Sequence, residues 1–439
     1  MQKKLLTMAV AGALAAPALA VAQSTTEVYG TINMAFGQFK YGEGTAVNFD
    51  DTTAIPTTGA NASQASVSKM DVSSGGSNFG IRARENLGGG LAAWVQLENG
   101  APMERSNDIS EGVTTRNSAI GMQGGFGNIF IGQWTTPWSD LDSLWGIGTV
   151  GYWGPVTAII GRRENTGNSP NYGCANTGRG VPGSCNPNES TGGVGHAFWR
   201  RFSNAVFYQS PVMAGVQVKL AYQTNDSKTS GQVSTNADAS AYSMSVQWAG
   251  MGGRARIGAG YDRHKDWTSV GGSDNGYTVK GGWNFGVIDV GFAYETMKYK
   301  CLGNVPGTTT PGQYAALCAS DGDIKAKQYG LALAVPVGPG SIRASYAVAK
   351  DLEGPVTSTA STGIATTHMS NTGAKQYNVG YEHRFSKRTN VGIGYAKIDN
   401  KANAAFTWSG APHNQSGASP AALNGSDVST FFVSMTHRF

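Results

Sequence analysis

The sequence is poor in charge, and it has no long apolar run beyond its first residues. Charged residues make up only 14% of the 439 positions, against about 25% in an average soluble protein. After Ala16, no stretch reaches the roughly 18 apolar residues that a transmembrane helix needs. Long helical periodicity and continuous apolar strands are missing as well. These absences argue against helical membrane proteins and against ordinary soluble proteins with helices packed on a sheet.

Motifs for catalysis and for cofactor binding are also missing. The sequence has no phosphate-cradling loop, no recognisable nucleophile arrangement and no histidine pair at metal-ligand spacing. The six histidines fall in predicted loops or near strand ends: His196, His264, His368, His383, His413 and His437. We therefore predict no enzyme activity, no cofactor and no metal site, while an outer-membrane hydrolase stays open as an alternative.

The first 22 residues have the layout of an export signal. Lys3 and Lys4 form a basic start, and the apolar run that follows them is too short to span a membrane. Small residues at 20–22 provide a cleavage site before Gln23. We predict a signal peptide at 1–22 and one domain at 23–439. The exported chain then has 31 basic and 28 acidic residues, a net charge of +3 that is too small to indicate a nucleic-acid partner.

The four cysteines form two local pairs, Cys174 with Cys185 and Cys301 with Cys318. Four cysteines allow three pairings, and the short spacing together with an oxidising compartment favours these two. No histidine lies at ligand spacing beside either pair, which argues against a metal site. We predict two disulfides, each closing a long loop.

The dominant pattern in the rest of the chain is a segment of about ten residues in which apolar and polar positions alternate. In 215–224, for example, Val216, Val218 and Leu220 share one face, opposite Gln217 and Lys219. Charges keep to one face, as expected where the other face meets lipid, because Arg or Lys at the bilayer midplane costs about 2–4 kcal/mol. This alternation is typical of strands in a transmembrane β-barrel.

Sixteen such segments are present, an even number, as bacterial barrels require. They lie at 27–38, 76–86, 90–99, 113–123, 127–134, 199–209, 215–224, 240–249, 253–262, 276–285, 287–297, 325–335, 340–350, 375–385, 389–398 and 428–439. Seven short turns and eight long polar connections alternate strictly between them. The pattern predicts an all-β fold, a closed antiparallel barrel with short periplasmic turns and long external loops.

The longest connection, 135–198, contains an unusual first half. Trp138, Trp145 and Trp153 lie there among glycines, together with Asp140 and Asp142. Connections of this length are usually functional or disordered. The tryptophans favour an ordered plug or constriction for the first half, whereas the second half is rich in Gly, Asn and Pro and is interpreted as external.

Ordered strings along the whole exported chain resemble the general Gram-negative porin family of the β-proteobacterial type. These strings are Val28-Tyr29-Gly30-Thr31-Ile32, Ser77-Asn78-Phe79-Gly80-Ile81-Arg82, Glu85-Asn86-Leu87-Gly88, Arg116-Asn117-Ser118-Ala119-Ile120-Gly121 and the ending 431–439. The resemblance implies a passive outer-membrane channel for ions and small hydrophilic solutes. It further implies a homotrimer, contact with outer-membrane lipid and lipopolysaccharide, and a third external loop folded into the lumen. The final alternation of Phe431, Val433, Met435 and Phe439 resembles the family's signal to the barrel-assembly machinery.

The resemblance also implies where the pore residues lie. Its usual device is a row of wall arginines, here Arg82, Arg84 and Arg116, facing loop carboxylates, here Asp140 and Asp142. Gln133 and Phe207 stand where relatives often carry arginine, which weakens the basic wall. Further residues with lumen-facing parity are Lys219, Arg254, Arg256, Lys280, Arg343, Arg384, Glu98 and Asp262. Their slight basic excess predicts a weak preference for anions.

Two alternatives remain at this point. Trp134, Trp138, Trp145 and Trp153 could line a constriction that prefers organic acids or sugars, because aromatic faces stack on such ligands. They could equally pack the loop against the wall. A barrel that serves in adhesion or as a surface antigen, with its long loops as the active part, is the other alternative.

Overall fold

A computed structural model of the chain describes most of the exported part. The described residues are 24–46, 62–64, 66–101, 103, 114–151, 153–154, 158–160, 198–224, 240–265, 272–301, 322–354, 370–402, 404, 406–408 and 425–439. In these ranges no helix is long and apolar enough to cross a membrane. The fold is an antiparallel barrel, and most of the described helical turns belong to one connection inside it.

Sixteen strands form the barrel, as the alternation predicted. In chain order they are β1 Thr25–Tyr41, β2 Val67–Ser74 with Asn78–Gly88, β3 Leu91–Gly100, β4 Ser118–Gly124, β5 Gly127–Thr135, β6 Arg201–Gln209, β7 Val216–Gln223, β8 Ser240–Gly250, β9 Ala255–Lys265, β10 Ser273–Asn284, β11 Asp289–Cys301, β12 Gly322–Val337, β13 Gly340–Ala349, β14 Ala374–Arg384, β15 Thr389–Asn400 and β16 Val428–Arg438. A small hairpin of Gly44–Ala46 and Ala62–Gln64 lies in the first long connection.

The barrel closes because β1 pairs on one side with β2 and on the other with β16. Thr31 faces Arg438 across the closing seam, and Thr25 faces Arg84 on the other side. Strand β2 is interrupted at 75–77, but both of its parts pair with β1 and continue the same strand. Ser77 fills the interruption, since its hydroxyl accepts a hydrogen bond from the Asn33 backbone N–H at 2.9 Å. Closure leaves no sheet edge unpaired in lipid.

Side chains alternate between the two faces of the wall as predicted. On β8, Tyr242, Met244 and Val246 point outward and are exposed, whereas Ser243 and Ser245 point inward and are buried. A bilayer solvates the first set, and the lumen receives the second. The inner face also contains many glycines, which leave room for a segment of chain to lie against the wall.

Short turns join the strands at one end of the barrel and long connections join them at the other. The turn between β2 and β3 places Gly88, Gly89 and Gly90 at positive φ, a region that glycine occupies without steric cost. In barrels of this kind the short turns are periplasmic and the long loops external. The alternation predicted which segments form strands better than it predicted where the strands begin and end. For example, β4 begins at Ser118 rather than near 113.

Candidate functional site

The connection after β5 turns inward and begins with a capped helical turn. Thr136 precedes Pro137, and its hydroxyl accepts a hydrogen bond from the Ser139 N–H at 3.3 Å. Such a cap satisfies a free backbone donor, and proline suits the first helical position. A short helix α1, Pro137–Asp140, and two 3-10 turns, Leu141–Leu144 and Gly146–Gly148, follow. We call the described residues of 136–160 the inward segment.

The inward segment lies in a groove that inner-wall glycines provide. A Cβ added at Gly258 on β9 would lie 2.6 Å from the Leu141 side chain. One added at Gly291 on β11 would lie 2.6 Å from the carbonyl oxygen of Trp145. Such separations are shorter than non-bonded carbon contacts permit. Part of the chain's high glycine content therefore serves the close approach of this segment to the wall.

Tryptophans fasten the inward segment to the wall. Trp138, Trp145 and Trp153 are fully buried. The Trp153 ring contacts Phe39 of β1 at 5.4 Å and Phe432 of β16 at 5.9 Å between centroids. Buried rings of this kind pack and cannot stack on a passing solute. The structure therefore places these three residues in the packing role, and Trp134 alone of the four keeps a partly exposed ring.

The two loop carboxylates are neutralised by lysines of the adjoining wall. Asp140 lies 3.3 Å from Lys219 of β7. Asp142 accepts a hydrogen bond from Lys280 of β10, and Lys280 in turn lies 2.8 Å from Glu295. Burial raises the pKa of Asp140 above its usual value, although Lys219 acts in the opposite direction. Both carboxylates thus anchor the segment rather than stand free in the passage.

Two arginines of the wall hold the backbone of the same segment. The Arg256 guanidinium donates to the Leu144 carbonyl at 2.6 Å and to Asp289 at 2.7 Å. The Arg343 guanidinium donates to the Thr149 carbonyl at 2.9 Å and pairs with a carboxylate of β14, Glu382, at 2.9 Å. Four of the residues predicted to line the lumen, Lys219, Arg256, Lys280 and Arg343, are therefore brought together by the inward segment.

Asp262 has the predicted inward direction, but its side chain is covered by protein. It is fully buried on β9, 3.8 Å from His264, and lies behind the segment rather than on an open surface. Sequence reasoning missed Asp289 and Trp199 as partners in this region; the Trp199 ring N–H donates to Asp142 at 2.6 Å. Their part depends on contacts between distant strands, and no local sequence signal indicates it.

The wall opposite the anchored side is formed by β2 to β5, and we call its inner face the open wall. Arg82 pairs with Glu27 at 2.8 Å, and both side chains are about half exposed. Arg116 pairs with Glu98 at 2.7 Å. Arg84 donates to the side-chain oxygen of Gln123 at 3.2 Å. The predicted wall arginines thus have partners on the open wall or on the adjoining strand β1, and Asp140 and Asp142 have lysine partners instead.

Phe207 is buried on the inner face of β6, whereas Gln133 shares the parity of the outward-facing Ile131 on β5, so its place in the constriction stays a prediction. The Gln133 side chain donates to the Thr115 carbonyl at 3.0 Å. Phe207 stacks on Phe130, with 4.8 Å between centroids and 5° between planes. Trp94, which the sequence reasoning passed over, lies beside Phe130 at 5.3 Å. A signal was available, because an aromatic residue at the inward parity of 90–99 departs from the alternation.

Two of the predicted lining residues lie at the short-turn end of the wall. Arg254 follows a 3-10 turn, Met251–Gly253, and is exposed. The prediction began the strand at 253, but the turn occupies that position and β9 begins at Ala255, so the lumen-facing role of Arg254 stays a prediction. Arg384 is the last residue of β14, where its backbone N–H donates to the Pro339 carbonyl near a short turn.

The remaining predicted residues concern the disulfides and the chain end. Cys174, Cys185 and Cys318 lie outside the described residues, and Cys301 ends β11, so both disulfides stay predictions. The residues of the ending that were predicted as an assembly signal point outward and are exposed: Phe431, Val433, Met435 and Phe439. In the part of the chain that the structure describes, no group of His, Cys, Asp and Glu could hold a metal ion.

Comparisons with known proteins agree with this architecture. Residues 7–403 match a family model described as Gram-negative porin. Outer membrane porin protein 32 of Delftia acidovorans is 26% identical over 420 residues, covering 91% of this chain and 90% of that protein. An anion-selective porin from Comamonas acidovorans has a similar structure, with a TM-score of 0.58, 20% identity, and coverage of 95% of this chain and all of that one. OmpT of Vibrio cholerae, solved in a trimer form, has a TM-score of 0.50 at 14% identity, with 95% of this chain and 99% of that chain covered.

Proposed function

Because the chain belongs to the Gram-negative porin family, we propose that solutes cross it between the inward segment and the open wall. The protein is an outer-membrane channel through which ions and small hydrophilic solutes diffuse down their gradients. Porins are channels, and the absence of any enzyme activity stays our prediction. The proposed passage follows from the anchoring of the inward segment on the side of β7 to β14.

The observation that carries a weak anion preference is the environment of Arg84. Arg82 and Arg116 have carboxylate partners on the same wall. Among the described residues, Arg84 bonds a neutral amide. Asp140 and Asp142 on the other side are each compensated by a lysine. One uncompensated cation beside a passage raises the local concentration of anions modestly.

The test is single-channel conductance of refolded protein in a planar bilayer under a salt gradient. We expect stepwise openings and a reversal potential on the anion side. Arg84→Gln is expected to lower the anion-to-cation permeability ratio about twofold, and Asp140→Asn to raise it by a similar factor, because a partly exposed charge contributes up to about 0.5 kcal/mol. Arg388→Gln, in an exposed turn, is the matched control. Loss of all conductance in folded barrels would refute the channel; unchanged reversal potentials would refute only the charge assignment.

We also propose that this chain forms a homotrimer through the outer face of β2 to β6. The support is an asymmetry in the aromatic residues near the loop end of the outer wall. From β7 to β15 each strand presents a tyrosine: Tyr222, Tyr242, Tyr261, Tyr277, Tyr294, Tyr329, Tyr346, Tyr377 and Tyr395. Such rings belong at a lipid headgroup interface. On β2 to β6 the corresponding exposed residues are apolar without a hydroxyl, and Phe79 is the one aromatic residue among them: Met70, Val72, Phe79, Val95, Leu97, Ile120, Ile131 and Val206.

A lysine placed on the outer face of β2 to β6, compared with one placed on the outer face of β7 to β15, tests which surface forms the trimer interface. Ile120→Lys lies on β4 in the proposed interface, and Ile257→Lys lies on β9 outside it; both side chains are exposed in the single barrel. In lipid, each substitution carries a similar cost. We expect only Ile120→Lys to convert trimers into monomers, measured by size and mass of the solubilised protein. Equal loss of trimers in both variants, or in neither, would contradict the proposed interface.

Contact with outer-membrane lipid, including lipopolysaccharide, is a further part of the proposal. Basic side chains follow the tyrosines on the loop side of the same outward face: Arg263, Lys265, Lys298, Lys300, Lys325, Lys327, Lys350, Lys375 and Lys397. Lys350 lies over the Tyr329 ring, 5.7 Å from its centroid. Cations at this height suit phosphorylated headgroups. We retain the signal peptide at 1–22 and recognition of the chain end by the assembly machinery as proposals.

A further inference from the structure

Four aromatic side chains that point into the lumen form one cluster on the open wall and its neighbour β6. They are Trp94 of β3, Phe130 and Trp134 of β5, and Phe207 of β6, with 4.8 to 5.8 Å between adjacent ring centroids. Inward positions of a water-filled barrel are ordinarily polar. Phe130 and Phe207 are buried and form the base of the cluster, whereas Trp94 and Trp134 keep part of their surface exposed.

Trp94 lies flat along the wall because β4 has a glycine beneath it. A Cβ at Gly121 would lie 2.8 Å from the Trp94 ring. The ring N–H reaches across β4 to β5 and donates to the side-chain oxygen of Asn128 at 2.8 Å. Trp134 stands against it at 69°, with 5.8 Å between centroids. One indole face is therefore turned toward the wall, and the other is presented to the lumen beside a perpendicular ring.

A cation lies directly beside this aromatic surface. Arg84 and Trp94 are register partners on β2 and β3, and both point inward. The guanidinium reaches over β3 to Gln123 on β4, which is the register partner of Asn128, the residue that accepts the hydrogen bond from the Trp94 ring. Among the described residues the side-chain partner of Arg84 is the neutral amide of Gln123, which leaves its charge available to a carboxylate. Arginine binds carboxylates in a planar, charge-assisted geometry.

We propose that Trp94, Trp134 and Arg84 form a weak binding site in the passage for small aromatic monocarboxylates. The solute ring lies on the exposed face of Trp94 and against Trp134, while its carboxylate accepts hydrogen bonds from Arg84. This inference rests on the proposed function, since the ligand reaches the site along the proposed passage. Binding must be weak, because a channel that retains its solute does not conduct.

The chemistry of the site favours aromatic monocarboxylates over neutral aromatic solutes and over aliphatic carboxylates. A ring without a charge loses the guanidinium contact, and a charge without a ring loses the stacking surface. Benzoate is therefore expected to bind about tenfold more tightly than either acetate or benzyl alcohol, and more tightly than cyclohexanecarboxylate, which has the same charge but no aromatic face. Glucose is the probe for the sugar alternative, because aromatic platforms also stack on sugar rings.

The test combines two readouts on the folded trimer: calorimetric binding of benzoate to solubilised protein, and saturable block of the KCl current by benzoate. We expect Trp94→Leu and Arg84→Gln each to weaken benzoate binding about tenfold while KCl conductance persists. Trp283→Leu, on the lipid side of β10, and Arg388→Gln are the matched controls. Heat-modifiable migration on gels confirms that each variant is folded.

Three outcomes would refute the proposed binding site. Benzoate binding that fails to saturate, that is equal in all four variants, or that is weaker than glucose binding would each do so. Loss of KCl conductance in the unmodified protein would instead refute the proposed function. Calorimetry separates the two cases, because it detects binding whether or not the channel conducts.

Discussion

The inner face of the barrel has two walls. The same strand alternation points side chains inward on both, but one wall is covered by the inward segment and the other is not. On the covered wall, which runs from β7 to β16, inward glycines, paired charges and aromatic rings receive the inward segment. On the open wall, β2 to β5, charged and aromatic side chains remain partly exposed. An inward parity therefore fixes only the direction of a side chain. Whether that side chain binds solute or binds protein depends on what the rest of the chain places against it.

The charged side chains of the two walls also differ in burial. Lys280 is fully buried between Asp142 and Glu295, and Lys219 is mostly buried beside Asp140. Arg82, by contrast, is about half exposed beside Glu27. A buried ion pair left without one partner is costly, whereas an exposed pair contributes little. Substitution of a fully buried charge such as Lys280 is thus expected to change structure, and substitution of a partly exposed charge on either wall to change selectivity.

The largest effect is expected from Lys280→Met. It removes the cation shared by Asp142 and Glu295, and breaking a buried pair costs about 3–5 kcal/mol. We expect the inward segment to detach, with a larger single-channel conductance and a lower melting temperature of the solubilised protein. Lys387→Met, in an exposed turn, is the control. A conductance and a melting temperature equal to those of the control would show that this pair does not anchor the segment.

A smaller effect is expected from Gly291→Ala, which fills the groove instead of removing a charge. The new methyl group would meet the Trp145 backbone at 2.6 to 3.1 Å, and overpacking of this kind costs about 1–3 kcal/mol. We expect the single-channel conductance to become larger and more variable as the segment shifts. Gly125→Ala has open space around it and serves as the control. Identical current records in the two variants would contradict the inference that the inward segment lies in a groove of glycines.

The smallest effect is expected from pH. Burial raises the pKa of Asp140, so this carboxyl binds a proton at a higher pH than an ordinary aspartate, whose pKa is about 4. As pH falls from 7 toward that range, Asp140 loses its negative charge beside Lys219, and the permeability of the channel to anions increases relative to cations. We expect the anion-to-cation ratio to rise, as measured by reversal potential. The part due to this residue should vanish in Asp140→Asn; equal pH responses in both proteins would assign the effect to other groups.

The strands were predictable because their signal is local. Val216, Val218 and Leu220 alternate with Gln217 and Lys219 whatever the rest of the chain does, and the structure confirms sixteen strands from that pattern. Strand ends were less predictable, since turn geometry decides them, as at Arg254. Even the inward direction of Lys280, Arg256 and Arg343 followed from parity alone.

The site itself was only partly predictable. Asp140 and Asp142 were identified as loop carboxylates, but their lysine partners depend on which wall the segment follows. That choice is made by glycines such as Gly258 and Gly291, whose alignment requires the register of neighbouring strands. Trp94 was missed because a single inward ring gains meaning only beside Phe130, which lies on β5, two strands further along the wall.

The sequence by itself determined the barrel and its strand number, because a two-residue period and the spacing of turns are properties of neighbouring residues. The family, and with it the outer membrane, followed from the resemblance of ordered strings along the chain. Only the tertiary structure decided which inner wall is covered and which charges are neutralised. It also decided where an aromatic surface faces the passage beside Arg84. The physical reason is that closure of the barrel brings residues from distant strands into one lumen, where a side chain's partners are set by register and by the path of the inward segment.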